Sequence, residues 1–391
     1  MSLDAYFTAG LTALSAAIAA VLVGVSPALA GSGGWIIVPS PAPSSTAELL
    51  AVSADSSSDT WGVGTWFDVK TSKYNALAER WNGSKWQQFS APSPGSDVQL
   101  NGVATISPSD AWSVGFTNNS SWAANRTLAE HWNGSTWSLV STPNPSSGAN
   151  ELWDVSAVSS SDVWAVGDTL SGGDRRTLVE RWSGSSWTVV SSPNKSNIND
   201  LHHVFANSAN DVWAAGTSAD PTSGKTLSLL EHWNGRNWSI ANNPSPRSSD
   251  YVRGIAGSSS SNVWIVGEAD DPAPTYTTHT LIEHWDGSKW SQVLDPDVGT
   301  ISGIAAVSAA DAWIVGVRYD RSLNANLTLV EHWDGSSWSV VASPNASTVS
   351  GAFNSLNAAA RVPRTSTTVW AVGSYDAGSG GGTLVLENKQ A

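Results

Sequence analysis

Cysteine is absent from the 391-residue chain, which excludes disulfides, zinc–thiolate sites and thiol nucleophiles. Charge is scarce as well: only 13% of residues are charged, no long polar heptads occur, and no helical period runs through the sequence. Positive charge is the rarer sign. Nineteen Lys and Arg face 33 Asp and Glu, for a net charge of −14, and removing Asp4 with the first 30 residues would leave −13. Nucleic acid and anionic membrane surfaces are therefore poor partners. A neutral glycan, a cationic ligand or a divalent ion would suit the acidic balance, which also serves solubility.

What the chain has in quantity is tryptophan, 23 residues in all. Seven of them, Trp61, Trp112, Trp164, Trp213, Trp264, Trp313 and Trp370, recur about every fifty residues in a setting close to Asp-x-Trp-x-Val-Gly. After each of the first six comes a second, in Glu-(His/Arg)-Trp-(Asn/Asp/Ser)-Gly: Trp81, Trp132, Trp182, Trp233, Trp285 and Trp333. Five residues later a third follows: Trp86, Trp137, Trp187, Trp238, Trp290 and Trp338. A proline lies six residues beyond each third tryptophan. With Trp35, twenty of the 23 occupy repeat positions, and Trp66, Trp122 and Trp153 stand outside the register.

Each repeat reads as four short strands. The first resembles Leu100 to Ala104 and runs into a Ser-x-x-Asp turn, where short polar side chains bond local backbone. The second is the Asp-x-Trp-x-Val-Gly strand. The third ends at the second tryptophan, and an Asp-Gly or Asn-Gly turn folds it back onto the fourth. Proline then ends the fourth strand, marking it as the outer edge. The expected fold is all-β: a seven-bladed β-propeller of four-stranded antiparallel blades over residues 31–391. The seventh repeat stops before a fourth strand, while Trp35 to Pro41 has the spacing of a fourth strand with no first three before it. The Trp35 region should therefore complete the last blade and close the ring.

The first 30 residues differ. Leu11 to Val25 is apolar and is followed by Ser26-Pro27-Ala28-Leu29-Ala30, the pattern of a signal-peptidase site, although no Lys or Arg precedes the apolar run. The segment is expected to be a signal peptide, with the mature chain extracellular or at the cell surface, carrying no membrane span and acting as a monomer.

The order of strands, with the second ending in Val-Gly and a tryptophan opening the fourth, resembles kelch-type blades, although a single glycine stands where kelch units usually show a pair. The turn Trp-Asp-Gly-Ser-Ser-Trp at Trp333 to Trp338, with a second copy at Trp285 to Trp290, is similar to the Asp-box hairpin of bacterial sialidase-like and photosystem-assembly propellers. Asn82, Asn133, Asn234 and Ser183 depart from it. The resemblance covers Gly34 to Leu386 and implies an architecture more than any one activity.

Glu79, Glu130, Glu180, Glu231, Glu283, Glu331 and Glu387 share one position, and beside the first six stand Arg80, His131, Arg181, His232, His284 and His332. Such a pair looks catalytic alone, but repetition in every unit argues for a structural role, such as anchoring an indole N–H or a neighbouring strand. Function is expected where the repeats disagree, in the loops between second and third strands and between one repeat and the next. Those loops and the start of the innermost strand supply the candidate ligand-binding residues Trp66, Asp68, Trp122, Trp153, His202, Arg253, Asp270, Asp271, Arg318, Tyr319 and Tyr375. Glu48, Glu151, Asp168, Asp200 and Tyr251 lie nearby. Aromatic rings beside carboxylates and a guanidinium suit a sugar or a peptide, because flat apolar rings stack on pyranose faces while polar groups read hydroxyls.

The expected role is a binding module for an extracellular glycan or protein, with no cofactor and no metal. A polysaccharide hydrolase or lyase using the same face is one alternative, and a structural envelope protein another. Asp200 with His202 or His203 makes at best a weak metal site, since neighbours on a strand point to opposite faces. No Gly-x-Ser-x-Gly elbow marks a serine nucleophile.

Overall fold

The structure, a computed structural model, describes residues 34–389 apart from 119–123, 221, 223, 245–248, 273–276, 297, 364–367 and 379. The expected signal peptide and Trp122 lie outside the described residues. All regular structure among the described residues is β-strand. The first repeat folds as Glu48–Ser56, Asp59–Asp68, Lys73–Trp81 and Trp86–Phe89, each strand antiparallel to the next. The same four-stranded antiparallel sheet recurs along the chain. The last repeat supplies Phe353–Arg361, Val369–Asp376 and Gly381–Asn388, and Trp35–Ile37 pairs antiparallel with the third of these, Trp35 opposite Asn388 and Ile37 opposite Leu386.

Burial explains the strand composition. The second strand of each sheet is covered on both faces, so it reads as a nearly continuous apolar run: Asp162 to Thr169 is buried throughout. The outermost strand buries little beyond its tryptophan, as in Trp187–Val189. The core lies between successive sheets. The first tryptophan of one repeat packs against the second and third of the following one: Trp164 lies 5.1 Å from Trp233 and 5.5 Å from Trp238, ring centroid to centroid. Trp213 makes the same contacts with Trp285 and Trp290, and Trp370 of the last repeat meets Trp81 and Trp86 of the first. The edge-to-face geometry at many of these contacts places positive ring edges on negative ring faces. The indole N–H of the second tryptophan reaches a backbone carbonyl, as Trp81 does at Ser57 (3.0 Å) and Trp333 at Ala309 (3.1 Å).

One device repeats in every innermost strand. The pairing with the second strand slips by one residue, leaving Leu50, Asn101, Trp153, His202, Arg253, Ser302 and Asn357 as bulged positions. Just before the slip, a carbonyl of the inner strand presses against the glycine of the second strand. A Cβ on Gly167 would lie 1.9 Å from the Glu151 oxygen, and one on Gly115 1.9 Å from that of Gln99. The Val-Gly signature thus reports close backbone approach at the bulge. Gly167→Ala should cost about 1–3 kcal/mol or more, as overpacking that only backbone movement can relieve. Equilibrium urea unfolding measures it, and a midpoint unchanged from wild type would contradict the clash.

The hairpin turns behave as their sequences suggest. The Asp334 carboxylate accepts the Ser336 N–H (2.8 Å), the Ser336 hydroxyl (2.7 Å) and the Ser337 N–H (2.9 Å), bonds that hold its pKa down to about 2. Asn82 makes the corresponding bonds as an amide, so the turn needs an acceptor oxygen and not a charge.

Candidate functional site

The repeated Glu-His pairs are part of the scaffold. Each histidine turns away from its neighbouring glutamate and toward the residue that opens the second strand: His131 lies 2.8 Å from Asp110, His232 2.8 Å from Asp211 and His332 3.0 Å from Asp311. The imidazole also lies on the first tryptophan of its own repeat, with centroids 4.1 Å apart for His332 and Trp313. Arg80 and Arg181 do the same with Asp59 and Asp162, the Arg181 guanidinium 4.7 Å above Trp164. In the fifth repeat Asn262 replaces the aspartate and accepts both His284 (2.7 Å) and the Trp264 indole (3.1 Å). The glutamates are buried carboxyls rather than indole anchors. Among the described residues, Glu79, Glu130 and Glu180 have no hydrogen-bond partner on either oxygen.

The repeats diverge at the bulges of the inner strands. A bulge re-aims its side chain out of the ladder alternation. In the first, second, sixth and seventh repeats the bulged residue is Leu50, Asn101, Ser302 or Asn357. In the third, fourth and fifth it is Trp153, His202 and Arg253. Trp153 and His202 meet edge to face with centroids 5.1 Å apart, and Phe116 backs Trp153 at 5.7 Å. The Trp153 indole donates to Asp168 (2.9 Å), whose other oxygen takes Arg175 (3.0 Å). Asp168 is almost fully enclosed, and burial pushes its pKa up to about 7 against the pull of Arg175 and the indole. Glu151, also buried, accepts the Asn125 amide. The bond to Asp168 fixes the edge of Trp153, whose ring is half-buried.

On the other side of His202, Asp200 accepts the Thr217 N–H (2.9 Å) and hydroxyl (2.6 Å) and stands 3.9 Å from the His202 Nε2. Burial lowers the His202 pKa despite Asp200, with Arg253 and Arg175 pressing the same way. His203, beyond the bulge, is held down to about 3 by burial and by His202. Both imidazoles are neutral at pH 7 and can donate or accept one bond each. Arg253 is exposed over 43% of its side chain and reaches Glu268 through one long contact of 3.4 Å. The result is a wall with an indole edge, a neutral imidazole and a loosely held guanidinium in succession, footed by carboxylates.

The other candidates are distributed differently. Trp66 packs partly buried against the core beneath the first sheet, and Tyr375 does so in the last. Asp68 closes its own turn by accepting the Lys70 N–H (2.9 Å) and the Thr71 hydroxyl (2.8 Å). Asp270 accepts Thr278 (2.7 Å) and Asp271 lies 3.1 Å from His279, both within one hairpin. Arg318 and Tyr319 sit exposed on a hairpin of the sixth repeat. Arg175, which no motif marks in the sequence, joins the site through its ion pair with Asp168 and its electrostatic reach to Glu151, Asp200 and His202. No group of three or more His, Asp or Glu side chains suited to a metal ion occurs among the described residues. Nor is any helix there long and apolar enough to cross a membrane.

This architecture is that of a β-propeller. Similar solved structures include YCF48 bound to D1 peptide (TM-score 0.56, 13% identity, covering 93% of this chain and 99% of that one). The β-propeller domain of the Trilobed protease from Pyrococcus furiosus is similar at TM-score 0.55 and 9% identity over 90% of this chain and 95% of that one. A polysaccharide lyase, ulvan lyase bound to -[GlcA(1-4)Rha3S]-, is similar at TM-score 0.52 and 11% identity over 92% and 94%. At such identities the likeness is one of fold. No family profile and no curated protein matches the chain.

Proposed function

We propose that the chain is an exported seven-bladed propeller, with residues 1–30 as signal peptide and 31–391 as the ring, that binds an extracellular glycan at the mouth of the ring. Ring closure is supported by the Trp35–Ile37 pairing and by Asn357, whose amide donates to the Leu49 carbonyl (2.9 Å) and the Glu48 carboxylate (2.9 Å), tying the seventh repeat to the first. The binding reading rests on one observation: consecutive bulges place Trp153, His202 and Arg253 side by side, while the equivalent positions elsewhere carry leucine, serine or an asparagine, the latter donating its amide to the next repeat. An indole, a neutral imidazole and a guanidinium side by side offer a stacking face with polar groups for hydroxyls. The propellers of similar fold are bound to a peptide in one case and to a sulfated oligosaccharide in another. The aromatic and carboxylate composition here favours the sugar.

A glycan array probed with the mature protein, followed by calorimetry on the best ligand, tests this. Trp153→Ala should weaken binding about tenfold or more, the loss of ~1.4 kcal/mol or more typical of an aromatic anchor. Release of shortened oligosaccharide would move the assignment to a hydrolase or lyase. Absence of any glycan ligand, or wild-type affinity in Trp153→Ala, would remove it.

A further inference from the structure

We propose that Asp168 is the positioning residue of the Trp153 site: its ionised carboxylate, held by Arg175, sets the indole in its binding posture, and a proton on that carboxylate releases it. The proposal rests on the reading of this wall as a ligand site, yet the posture of the indole can be followed with no ligand present.

One position of the repeat carries the argument. The residue that follows the second-strand glycine is Thr65, Phe116, Asp168, Thr217, Glu268, Val317 or Ser374. An acid stands there in the third and fifth repeats, and each acid bonds the bulged side chain fifteen residues before it. Asp168 takes the Trp153 indole at 2.9 Å, and Glu268 takes the Arg253 guanidinium at 3.4 Å. The two pairs differ in commitment. The Glu268 contact is long and Arg253 is 43% exposed, so that pair is loose. Asp168 is 1% exposed, with one oxygen on the indole N–H and the other on Arg175 at 3.0 Å. A buried carboxylate gripped on both oxygens holds the indole at one angle, the kind of support that a binding side chain needs from the residues behind it.

The charges around Asp168 come from three strands: Arg175 on the third strand of its own repeat, Glu151 on the inner strand, and Asp200 on the inner strand of the fourth repeat. Glu151 accepts the Asn125 amide and Asp200 accepts Thr217. Burial, joined by the charges of Glu151 and Asp200, outweighs Arg175 and the indole and pushes the Asp168 pKa up to about 7. Burial moves His202 and His203 the other way, so neither imidazole changes charge near that pH. A protonated carboxyl keeps one good acceptor oxygen and turns the other into a donor. The guanidinium keeps the acceptor because its bond is charge-assisted. The indole N–H then loses its partner, and Trp153 is left with its ring contacts to Phe116 and His202. Apparent affinity scales with the fraction of molecules in the competent state. With a midpoint near pH 7, about one molecule in ten is competent at pH 6 and about nine in ten at pH 8, so binding should weaken about tenfold as pH falls from 8 to 6.

The test follows the indole N–H resonance of Trp153 in the full mature chain, assigned by its loss in Trp153→Phe. The resonance should titrate with a midpoint near pH 7. Asp168→Asn, uncharged at every pH, should abolish the titration. Arg175→Gln should move the midpoint up, because it removes the cation that favours the ionised acid. The glycan array, read with wild type at pH 8 and at pH 6, should show about tenfold weaker binding at pH 6, and Asp168→Asn should show no such difference. A resonance that does not move, a titration that persists in Asp168→Asn, a midpoint unmoved or lowered in Arg175→Gln, or equal wild-type array binding at the two pH values would each overturn the proposal. If Asp168→Asn does not fold, the wild-type and Arg175→Gln titrations decide. An array blank at both pH values, beside a titration that follows Asp168 and Arg175 as stated, would remove the glycan reading and support the positioning of the indole.

Discussion

Trp164→Ala is expected to lower the unfolding free energy by about 3–5 kcal/mol, among the largest effects of any single change in this chain. The ring is fully buried between two sheets, bounded by Trp233, Trp238 and the Arg181 guanidinium. A buried tryptophan removes ~150–250 Å² from water, about 4–6 kcal/mol at 25 cal/mol/Å² as an upper bound. The neighbours belong to two different sheets and cannot collapse into the cavity without opening the ladder. Trp182→Ala makes the control: its ring is only half-buried and its N–H is spent on the Ser160 carbonyl (3.2 Å). It should cost less than half as much. Urea unfolding of both variants measures the difference, and equal losses would show that full enclosure of the ring is not what makes Trp164 expensive to remove.

The second large effect is on pH dependence. Burial pushes the pKa of Glu79 up to about 9 and those of Glu130, Glu180 and Glu231 up to about 8. Their unfolded values lie near the ordinary 4.5. Between pH 4.5 and 9 the folded chain therefore holds protons that the unfolded chain has released, and stability falls as pH rises. The contribution is fully present below about pH 4.5 and is lost by about pH 9. The exposed Asp286 and Asp334, with pKa lowered to about 2, act the other way and cost stability only as pH falls below about 4. Thermal melts from pH 4 to 9 should show a maximum near pH 4–5 and a steady decline above it. The triple variant Glu79→Gln/Glu130→Gln/Glu180→Gln, which replaces three neutral acids by neutral amides, should flatten that decline. A melting temperature constant from pH 5 to 9 in the wild type would falsify the burial argument.

Much of the scaffold was legible because it is repeated. Seven copies of one spacing allowed each strand to be checked against six others, and the three tryptophan positions, the Asp-Gly and Asn-Gly turns and the closing proline all carry local physical reasons. The glutamates were legible as structural by the same repetition, but not how: burial raises the pKa of Glu79, Glu130, Glu180 and Glu231, while His131, His232 and His332 pair with the aspartate that opens the adjacent strand. The Val-Gly glycine was visible as a signature, whereas its cause, a carbonyl 1.9 Å from where a Cβ would be, exists only once two strands slip past each other.

The candidate site was legible only in part. Trp153, His202 and Arg253 could be picked out as unlike residues at one register, because a repeat exposes its exceptions. Trp66 and Tyr375 looked equally exceptional and pack against the core instead, and Asp68 serves its own turn. Whether an irregular side chain faces solvent depends on how the hairpin twists, which neighbouring residues in sequence do not determine.

The sequence by itself determined the all-β character, the four-strand unit and the tryptophan framework, because strand alternation, turn chemistry and apolar periodicity act over a few residues at a time. Only the tertiary structure decided which side chains meet. The join of Trp153 to His202 and the hold of Arg175 on Asp168 bring together residues from different strands or different sheets. Their proximity follows from the bulges and from how successive sheets pack, and those are properties of the assembled backbone.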